Sequence, residues 1–161
     1  MAHFYARNLA KSYKRRPVVS SVDLDVESGQ VVCLLGPNGA GKTTTFYMMT
    51  GLVKNDAGEI YLDDEEISQK TIDQRAKMGI GYLPQEASVF RKLTVKQNIL
   101  AILEMRDDIN EAEKWQHYES LVDDLQISHI TTQLGQALSG AERRRVEVAR
   151  ALAMEPHFIL L

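Results

Sequence analysis

The sequence predicts an α/β fold in which a parallel sheet with flanking helices carries an antiparallel β region and an inserted helical region. Residues 1–30 alternate apolar and polar side chains as strands do, and residues 94–154 carry the apolar periodicity of three helices. A final apolar run returns to a β-type pattern. The predicted parts are a β-rich portion with a glycine-rich loop at 1–84, a mainly helical portion at 85–138, and a last helix with the start of a strand at 139–161.

Two strands are predicted in the first part of the chain, at residues 4–9 and 18–26. Both stretches place apolar or β-branched residues at alternating positions, which is typical of half-buried strands. Ser28-Gly29 follows the second stretch and marks a turn.

Residues 31–35 form a continuous apolar run, Val-Val-Cys-Leu-Leu. A short run of this kind predicts a central parallel strand that is buried on both faces. Cys33 lies within it and is therefore expected to be buried and inert. A glycine-rich turn then leads into a predicted helix at 41–50, which Gly51 closes.

Short elements are predicted in the middle of the chain. They are a strand at 59–63, a helix at 71–78 and a strand at 80–83 that Pro84 ends. The acidic run at 63–66 is interpreted as a solvated turn, not as a pair of catalytic carboxylates.

Three longer helices are predicted, each with a residue that can cap its first turn. With their N-caps they are 95–104 after Thr94, 110–126 from Asn110, and 139–154 from Ser139. Glu142 stands three residues after Ser139, which is the spacing of a capping box. Trp115 is expected to be the apolar anchor of the second helix. The strand predicted at 158–161 follows the third helix.

The composition excludes several classes of protein. Of the 161 residues, 44% are hydrophobic and 25% are charged, as in ordinary soluble globular domains. The net charge of −3 disfavours a nonspecific nucleic-acid binder, because such proteins are normally basic. No apolar run approaches the roughly 20 residues of a spanning helix, and no secretory signal is expected. The single cysteine excludes an internal disulfide framework, so a cytoplasmic location is expected.

One motif carries specific chemistry. Residues 36–43 match G-x-x-x-x-G-K-[ST] without deviation, and they stand between a predicted strand and a predicted helix. The motif residues are Gly36, Pro37, Asn38, Gly39, Ala40, Gly41, Lys42 and Thr43. Such a loop turns successive N–H groups towards one phosphate, and the helix N-terminus adds partial positive charge.

The motif also assigns roles to its last side chains. Lys42 can place its ammonium group between the β- and γ-phosphates, and the Thr43 hydroxyl can bind Mg²⁺. Thr44 can donate to an α-phosphate oxygen. ATP and Mg²⁺ are therefore the predicted cofactors.

A second segment, Leu138-Ser139-Gly140-Ala141-Glu142, lies at another helix N-terminus. Taken alone it is most simply a capped helix with a solvated basic face. Taken together with the phosphate loop and Gln85, it makes the whole chain resemble the ATP-binding subunits of ABC transporters. In that family the corresponding signature segment is usually Leu-Ser-Gly-Gly followed by Gln or Glu, so Ala141 departs from it. The resemblance implies that two such subunits close on ATP as a dimer, and the Ala141 methyl group is expected to weaken this closure.

The resemblance implies an ABC ATPase fold and further site residues. Tyr13 resembles the aromatic residue that stacks on adenine, and Gln85 resembles the glutamine that contacts Mg²⁺ and senses the transporter partner. Ser139 and Gly140 resemble the group that meets the γ-phosphate held by the opposite subunit. Lys42 and Gln85 are then the predicted catalytic residues, Thr43 and Gln85 the metal-binding ones, and a head-to-tail homodimer the active unit.

Within this family the chain resembles the subunits that power lipopolysaccharide export, on residues 81–91, 142–153 and 36–47. This implies two transmembrane permease subunits as partners, at the cytoplasmic face of the inner membrane. Phe90 and Arg91 are the candidate docking point, because an aromatic residue beside an arginine is typical of interface hot spots. The alternative for Phe90 is packing in the helical region, and the alternative cargo is that of branched-chain amino-acid importers.

A third alternative is a nucleotide-binding fragment that does not hydrolyse ATP. Phosphoryl transfer to water needs a Mg²⁺-binding Asp and a group that positions the water. The resemblance implies that both follow an apolar strand, with a switch histidine further on. The strand predicted at 158–161 is the last part of the sequence. A C-terminally truncated domain without ATPase activity of its own is therefore expected.

Overall fold

The computed structural model describes residues 2–161. The chain forms two compact units, one made of residues up to 80 together with Leu160, and one made of residues 81–159 together with Leu161. Within residues 2–161, no helix is both long and apolar enough to cross a membrane.

The first unit is built on an antiparallel sheet with strand order β2-β1-β3-β4. Its strands are β1 (His3–Tyr13), β2 (Arg16–Glu27), β3 (Ala57–Leu62) and β4 (Glu65–Glu66). Phe4 and Ala6 of β1 are buried in the predicted alternation, and a register shift at Asn8, whose φ is 51°, makes Leu9 the next buried residue. Helices α1 (Lys42–Thr50) and α2 (Ile72–Lys77) complete this unit.

Both of the first strands are longer than the sequence predicts, because a two-residue turn joins them. Lys14 and Arg15 have φ angles of 49° and 66°, so both central residues of the turn are left-handed, as in a type I′ hairpin. Tyr13 and Arg16 pair directly across it. Lys-Arg lacks the Asn-Gly or Asp-Gly pattern that marks such turns, which is why the sequence does not reveal it.

The predicted central strand at residues 31–35 is wrong. These residues form no regular secondary structure, and Val31 and Leu35 are 91% and 87% exposed. A strand is stabilised by ladder hydrogen bonds to its neighbours, and no strand among residues 2–161 pairs with this segment. Cys33 is accordingly exposed and not buried.

The second unit holds three helices, α3 (Val95–Leu103), α4 (Glu111–Asp124) and α5 (Gly140–Leu152). Their buried side chains form one apolar core, to which Ile99, Leu103, Val122 and Val146 contribute. All three begin with the predicted N-cap residue in a capping box, of which the sequence predicted only the one formed by Ser139 and Glu142. Two short 3-10 turns, Ser128–Ile130 and Gly135–Ala137, connect α4 to α5.

Strands β5 (Ile80–Tyr82) and β6 (Phe158–Leu160) pair in a two-stranded sheet, so both late strand predictions are confirmed. The acidic run at 63–66 differs from its prediction in part, because Glu65–Glu66 forms the short strand β4. Glu65 pairs with Lys70 at 2.8 Å.

Trp115 is not the buried anchor that the helix pattern predicts. Its side chain is 41% exposed, and it contacts Tyr118 edge-on with ring centroids 5.6 Å apart. The Lys96 ammonium group lies 4.6 Å from the indole centroid. The buried anchors of α4 are instead Tyr118 and Val122, which lie on the same face one and two turns further along the helix.

Candidate functional site

The phosphate loop ends directly at the first residue of α1. Gly39 and Gly41 have φ angles of 81° and 87°, in the left-handed region that favours glycine. A Cβ on Gly41 would also lie 2.6 Å from the Val18 carbonyl oxygen and 2.9 Å from a Val19 methyl group. Both conformation and space therefore require glycine where the loop meets the helix.

The N-terminus of α1 is open. No side chain caps it, and its first turn contains no acidic residue. Helices α3, α4 and α5 differ, because their capping boxes occupy N–H groups of the first turn. The unpaired N–H groups and positive dipole end of α1 suit an anion such as a phosphate.

Lys42 lies folded over the loop. Its Nζ donates to the carbonyl oxygens of Gly36 at 2.6 Å and Pro37 at 2.8 Å. Thr43, the next residue, is exposed. A nucleotide phosphate is bound by an ammonium group and by first-turn N–H groups, and its Mg²⁺ by a hydroxyl oxygen. Lys42, the start of α1 and Thr43 provide these groups, so the residues present fit both cofactors.

Tyr13 lies at the end of β1, beside the hairpin turn, and 45% of it is exposed. The Lys11 ammonium group lies 5.6 Å from the ring centroid and also pairs with Asp56 at 2.7 Å. The exposed ring offers surface on which a planar base could stack. Tyr13 belongs to the same unit as the phosphate loop.

The segment that carries Gln85 lies in the second unit and is held by α5. Arg144 donates to the Pro84 carbonyl oxygen at 2.7 Å, and the Ser88 N–H donates to Glu147 Oε1 at 2.7 Å. Arg150 donates to the Ser88 carbonyl oxygen. Gln85 itself is exposed. These three α5 side chains fix the backbone on both sides of Gln85 while its own side chain faces solvent.

Sequence reasoning missed Glu147 and Asn98. Glu147 is only 4% exposed, and its charge gave no sign of this burial. Asn98 is fully buried, accepts from the Phe90 N–H at 2.8 Å, and donates to the Phe90 carbonyl oxygen at 3.0 Å. Both residues support a loop through its backbone, and such contacts leave no periodic signal in a sequence.

Phe90 and Arg91 are exposed on this supported loop. The Arg150 guanidinium carbon lies 4.3 Å from the Phe90 ring centroid, and burial lowers the pKa of Arg150. Beside them is a cavity of about 260 Å³. Its lining residues are Ala87, Val89, Arg91, Gly135 and Arg143. The loop thus presents one aromatic ring and one arginine on a rigid backbone.

The signature segment forms the predicted N-terminus of α5. Ser139 donates to Glu142 Oε2 through its N–H at 2.8 Å and its hydroxyl at 2.7 Å. The hydrogen bond from the Ser139 side chain lowers the pKa of Glu142. Ser139, Gly140 and Ala141 are exposed, and a Cβ on Gly140 would meet no atom within 4 Å. The residues at this helix end are therefore exposed to solvent, although the capping box occupies N–H groups of its first turn.

The predicted site residues divide between the two units. Tyr13, the phosphate loop and Thr44 lie in the first, whereas Gln85, Phe90 and Ser139 lie in the second. His117 and Glu155 pair at 3.2 Å, a contact that the sequence did not predict. No group of three or more His, Cys, Asp or Glu side chains in residues 2–161 is arranged to hold a metal ion.

Known proteins are similar to this chain over its whole length. The lipopolysaccharide export system ATP-binding protein LptB of Haemophilus influenzae is 58% identical over all 161 residues, which cover 67% of that protein. LptB of Escherichia coli K12 is 55% identical over the same span and covers 67%. A probable ABC transporter ATP-binding protein of Azorhizobium caulinodans is 53% identical over 97% of this chain and 55% of its own.

Solved structures show the same fold. A nucleotide-free ATP-binding cassette from an ABC transporter superposes with a TM-score of 0.84 at 26% identity, over 99% of this chain and 68% of that one. The ADP conformation of MJ1267, another ATP-binding cassette, gives 0.81 at 26% identity, over 99% and 67%. The sequence profile of the ABC transporter family matches residues 19–161. The chain therefore belongs to the ABC transporter family, as an ATP-binding domain with the ABC ATPase fold.

Proposed function

We propose that this chain is the ATP-binding part of an ABC transporter that exports lipopolysaccharide from the inner membrane. The observation that carries the proposal is the 58% and 55% identity, over every residue of the chain, to two lipopolysaccharide export ATP-binding proteins. The open N-terminus of α1, with Lys42 beside it, supports ATP as the energy source.

The proposed nucleotide site has two parts. Residues 36–44 hold the phosphates, Tyr13 stacks on adenine, and Thr43 and Gln85 bind Mg²⁺. Ser139 and Gly140 meet the γ-phosphate of a nucleotide held by a second copy of the chain. Their exposure at the start of α5 supports this role, because contact with another copy requires residues that are accessible to solvent.

For turnover, Lys42 and Gln85 are the proposed catalytic residues. ATP hydrolysis also needs an acidic pair that binds Mg²⁺ and positions water, and no acidic residue of these 161 follows β6. We propose that a polypeptide of these residues alone binds ATP without hydrolysing it. Lys42-dependent phosphate release by that polypeptide would contradict this point.

The proposed partners are two transmembrane permease subunits, which place the protein at the cytoplasmic face of the inner membrane. Phe90 and Arg91 are the proposed docking residues. Their support is the combination of an exposed ring with a backbone that Asn98 fixes, because a preorganised anchor loses little conformational entropy on binding.

Changing Phe90 to alanine is expected to weaken co-purification with the permease subunits by at least about tenfold, as expected for an interface anchor. The melting temperature should change little, because the ring is 45% exposed. Tyr47→Ala is the matched control, since this aromatic is 36% exposed in the other unit. A large loss of stability with unchanged partner binding would assign Phe90 to packing instead.

The cargo is tested by reconstitution. The natural protein, co-purified with its permease subunits and placed in proteoliposomes, should release lipopolysaccharide on addition of ATP and Mg²⁺. A parallel assay with radiolabelled branched-chain amino acids should show no transport. ATP-dependent uptake of an amino acid, without release of lipopolysaccharide, would replace the exporter with the importer alternative.

A further inference from the structure

Arg75 is a buried cation in the first unit. Its side chain is 2% exposed, although arginine is almost never fully buried without a partner. All five of its N–H groups donate to backbone carbonyl oxygens. The acceptors are those of Lys70 at 3.0 Å, Met48 at 2.7 Å, Met49 at 2.8 Å, Ile67 at 2.9 Å and Ser68 at 3.2 Å.

Arg75 takes part in none of the ion pairs formed among residues 2–161, so its charge is balanced by the dipoles of backbone carbonyl groups. Burial lowers its pKa to about 10, which still leaves the guanidinium group charged at neutral pH. A buried charge is costly unless hydrogen bonds satisfy it completely, and here they do. This arrangement is specific to arginine, since lysine has only three donors for the five carbonyl groups.

Two of the carbonyl groups lie in the last turn of α1. The Met48 and Met49 carbonyls lie at the C-terminal end of α1, where the Met48 oxygen also accepts from the C-cap N–H of Gly51 at 3.2 Å, and a cation there complements the negative end of the dipole. The other three acceptors lie in the segment 67–70 that precedes α2. Arg75 thus ties the C-terminus of α1 to a neighbouring segment of the same unit.

Gly51, the C-cap residue of α1, lies against the Arg75 guanidinium group. Its φ angle is 83°, and a Cβ there would lie 3.0 Å from the Arg75 Nε. The guanidinium group therefore sits directly against the chain reversal that ends the helix.

The other end of α1 is the phosphate loop. A helix of nine residues is about 14 Å long, so a displacement of its C-terminus is transmitted to its N-terminus. Residues 31–35, which precede the loop, have no strand partner among residues 2–161. The loop continues directly into α1, and its last glycine, Gly41, lies so close to Val18 and Val19 of β2 that a side chain would not fit there.

We propose that Arg75 is a positioning residue for nucleotide binding, which acts by fixing the C-terminus of α1 so that the opposite end presents its N–H groups and Lys42 to the phosphates. This inference rests on the proposed nucleotide site. It adds a residue that touches no ligand and that the phosphate-loop motif does not contain.

The test measures the affinity of the 161-residue protein for a non-hydrolysable ATP analogue with Mg²⁺, by calorimetry well below the melting temperature. Arg75→Ala is expected to weaken binding by at least about tenfold, and Arg75→Lys by less. Methylguanidinium chloride at about 10 mM should restore much of the affinity of Arg75→Ala by refilling the site, whereas sodium chloride should not. Ile60→Ala, a buried change in β3 of the same unit, should lower the melting temperature and leave the affinity unchanged.

The outcomes separate this inference from the proposed function. Binding by Arg75→Ala within about twofold of the unaltered protein overturns it, and so does an equal loss in Ile60→Ala. If Arg75→Ala does not fold, Arg75→Lys decides: weaker binding with faster amide exchange at residues 39–43 supports the role, and unchanged binding overturns it. Failure of the unaltered protein to bind the analogue would instead refute the nucleotide site itself.

Discussion

Replacing Lys42 with alanine is expected to weaken binding of Mg²⁺-ATP at least about a hundredfold, or about 3 kcal/mol. The Lys42 ammonium group lies within 2.6 Å and 2.8 Å of two loop carbonyl oxygens, at the point where a phosphate would enter. Charge-assisted hydrogen bonds to phosphate are among the strongest polar contacts in proteins, and alanine removes all of them. Calorimetry with a non-hydrolysable analogue measures the change.

The control for this experiment is Lys54→Ala. Lys54 is exposed, lies in the same unit and carries the same charge, so its loss reports the general effect of one cation fewer. The affinity of Lys54→Ala for the ATP analogue should stay within about threefold of that of the unaltered protein, because exposed charges are screened by salt. Lys42→Ala that is folded and binds within the same threefold range would refute the assignment of residues 36–44 to the phosphates.

The helices could be predicted well because the signals that define them are local. Thr94 with Gln97, Asn110 with Glu113 and Ser139 with Glu142 each form a capping box within four consecutive residues. The phosphate loop is local in the same sense, since eight consecutive residues specify both its conformation and its chemistry. The N-terminal end of each of these elements could therefore be read from the sequence.

The strand predicted at residues 31–35 fails for the opposite reason. Five consecutive apolar residues indicate that a segment is suited to the interior of a sheet. They do not show whether neighbouring strands are present to pair with it. Among residues 2–161 that hydrogen-bonding partner is lacking, so Val31 and Leu35 stay exposed. The error in the burial of Cys33 follows directly from the error in the strand.

The supporting polar contacts could not be predicted from the sequence either. Arg75 reaches carbonyl groups 26 and 27 positions away, and Glu147 holds an N–H group 59 positions away. Charged residues are usually exposed, so composition gives the wrong expectation for both. The sequence therefore revealed the residues proposed to touch nucleotide and not those that hold them in place.

Replacing Asn98 with leucine is expected to destabilise the second unit by about 3 kcal/mol, because it leaves the partly buried Phe90 N–H without its acceptor and removes three further hydrogen bonds. The lost donor bonds are those to the carbonyl oxygens of Phe90 at 3.0 Å, Thr94 at 3.0 Å and Leu93 at 3.3 Å. Leucine has the same branched arrangement of side-chain heavy atoms and a larger volume, so the change leaves no cavity and combines the lost polar contacts with some overpacking. Urea unfolding followed by the fluorescence of Trp115, the single tryptophan, measures it in this unit.

Glu104→Leu provides the matched polar-to-leucine change, since Glu104 is exposed at the C-cap of the same helix. Its effect should remain within about 0.5 kcal/mol. Because Asn98 holds the backbone of Phe90, the leucine variant should also speed amide exchange at Phe90 while leaving nucleotide affinity unchanged in the first unit. Equal stability of the two variants, or an unaltered exchange rate at Phe90, would show that the loop carrying Phe90 and Arg91 owes its rigidity to other contacts.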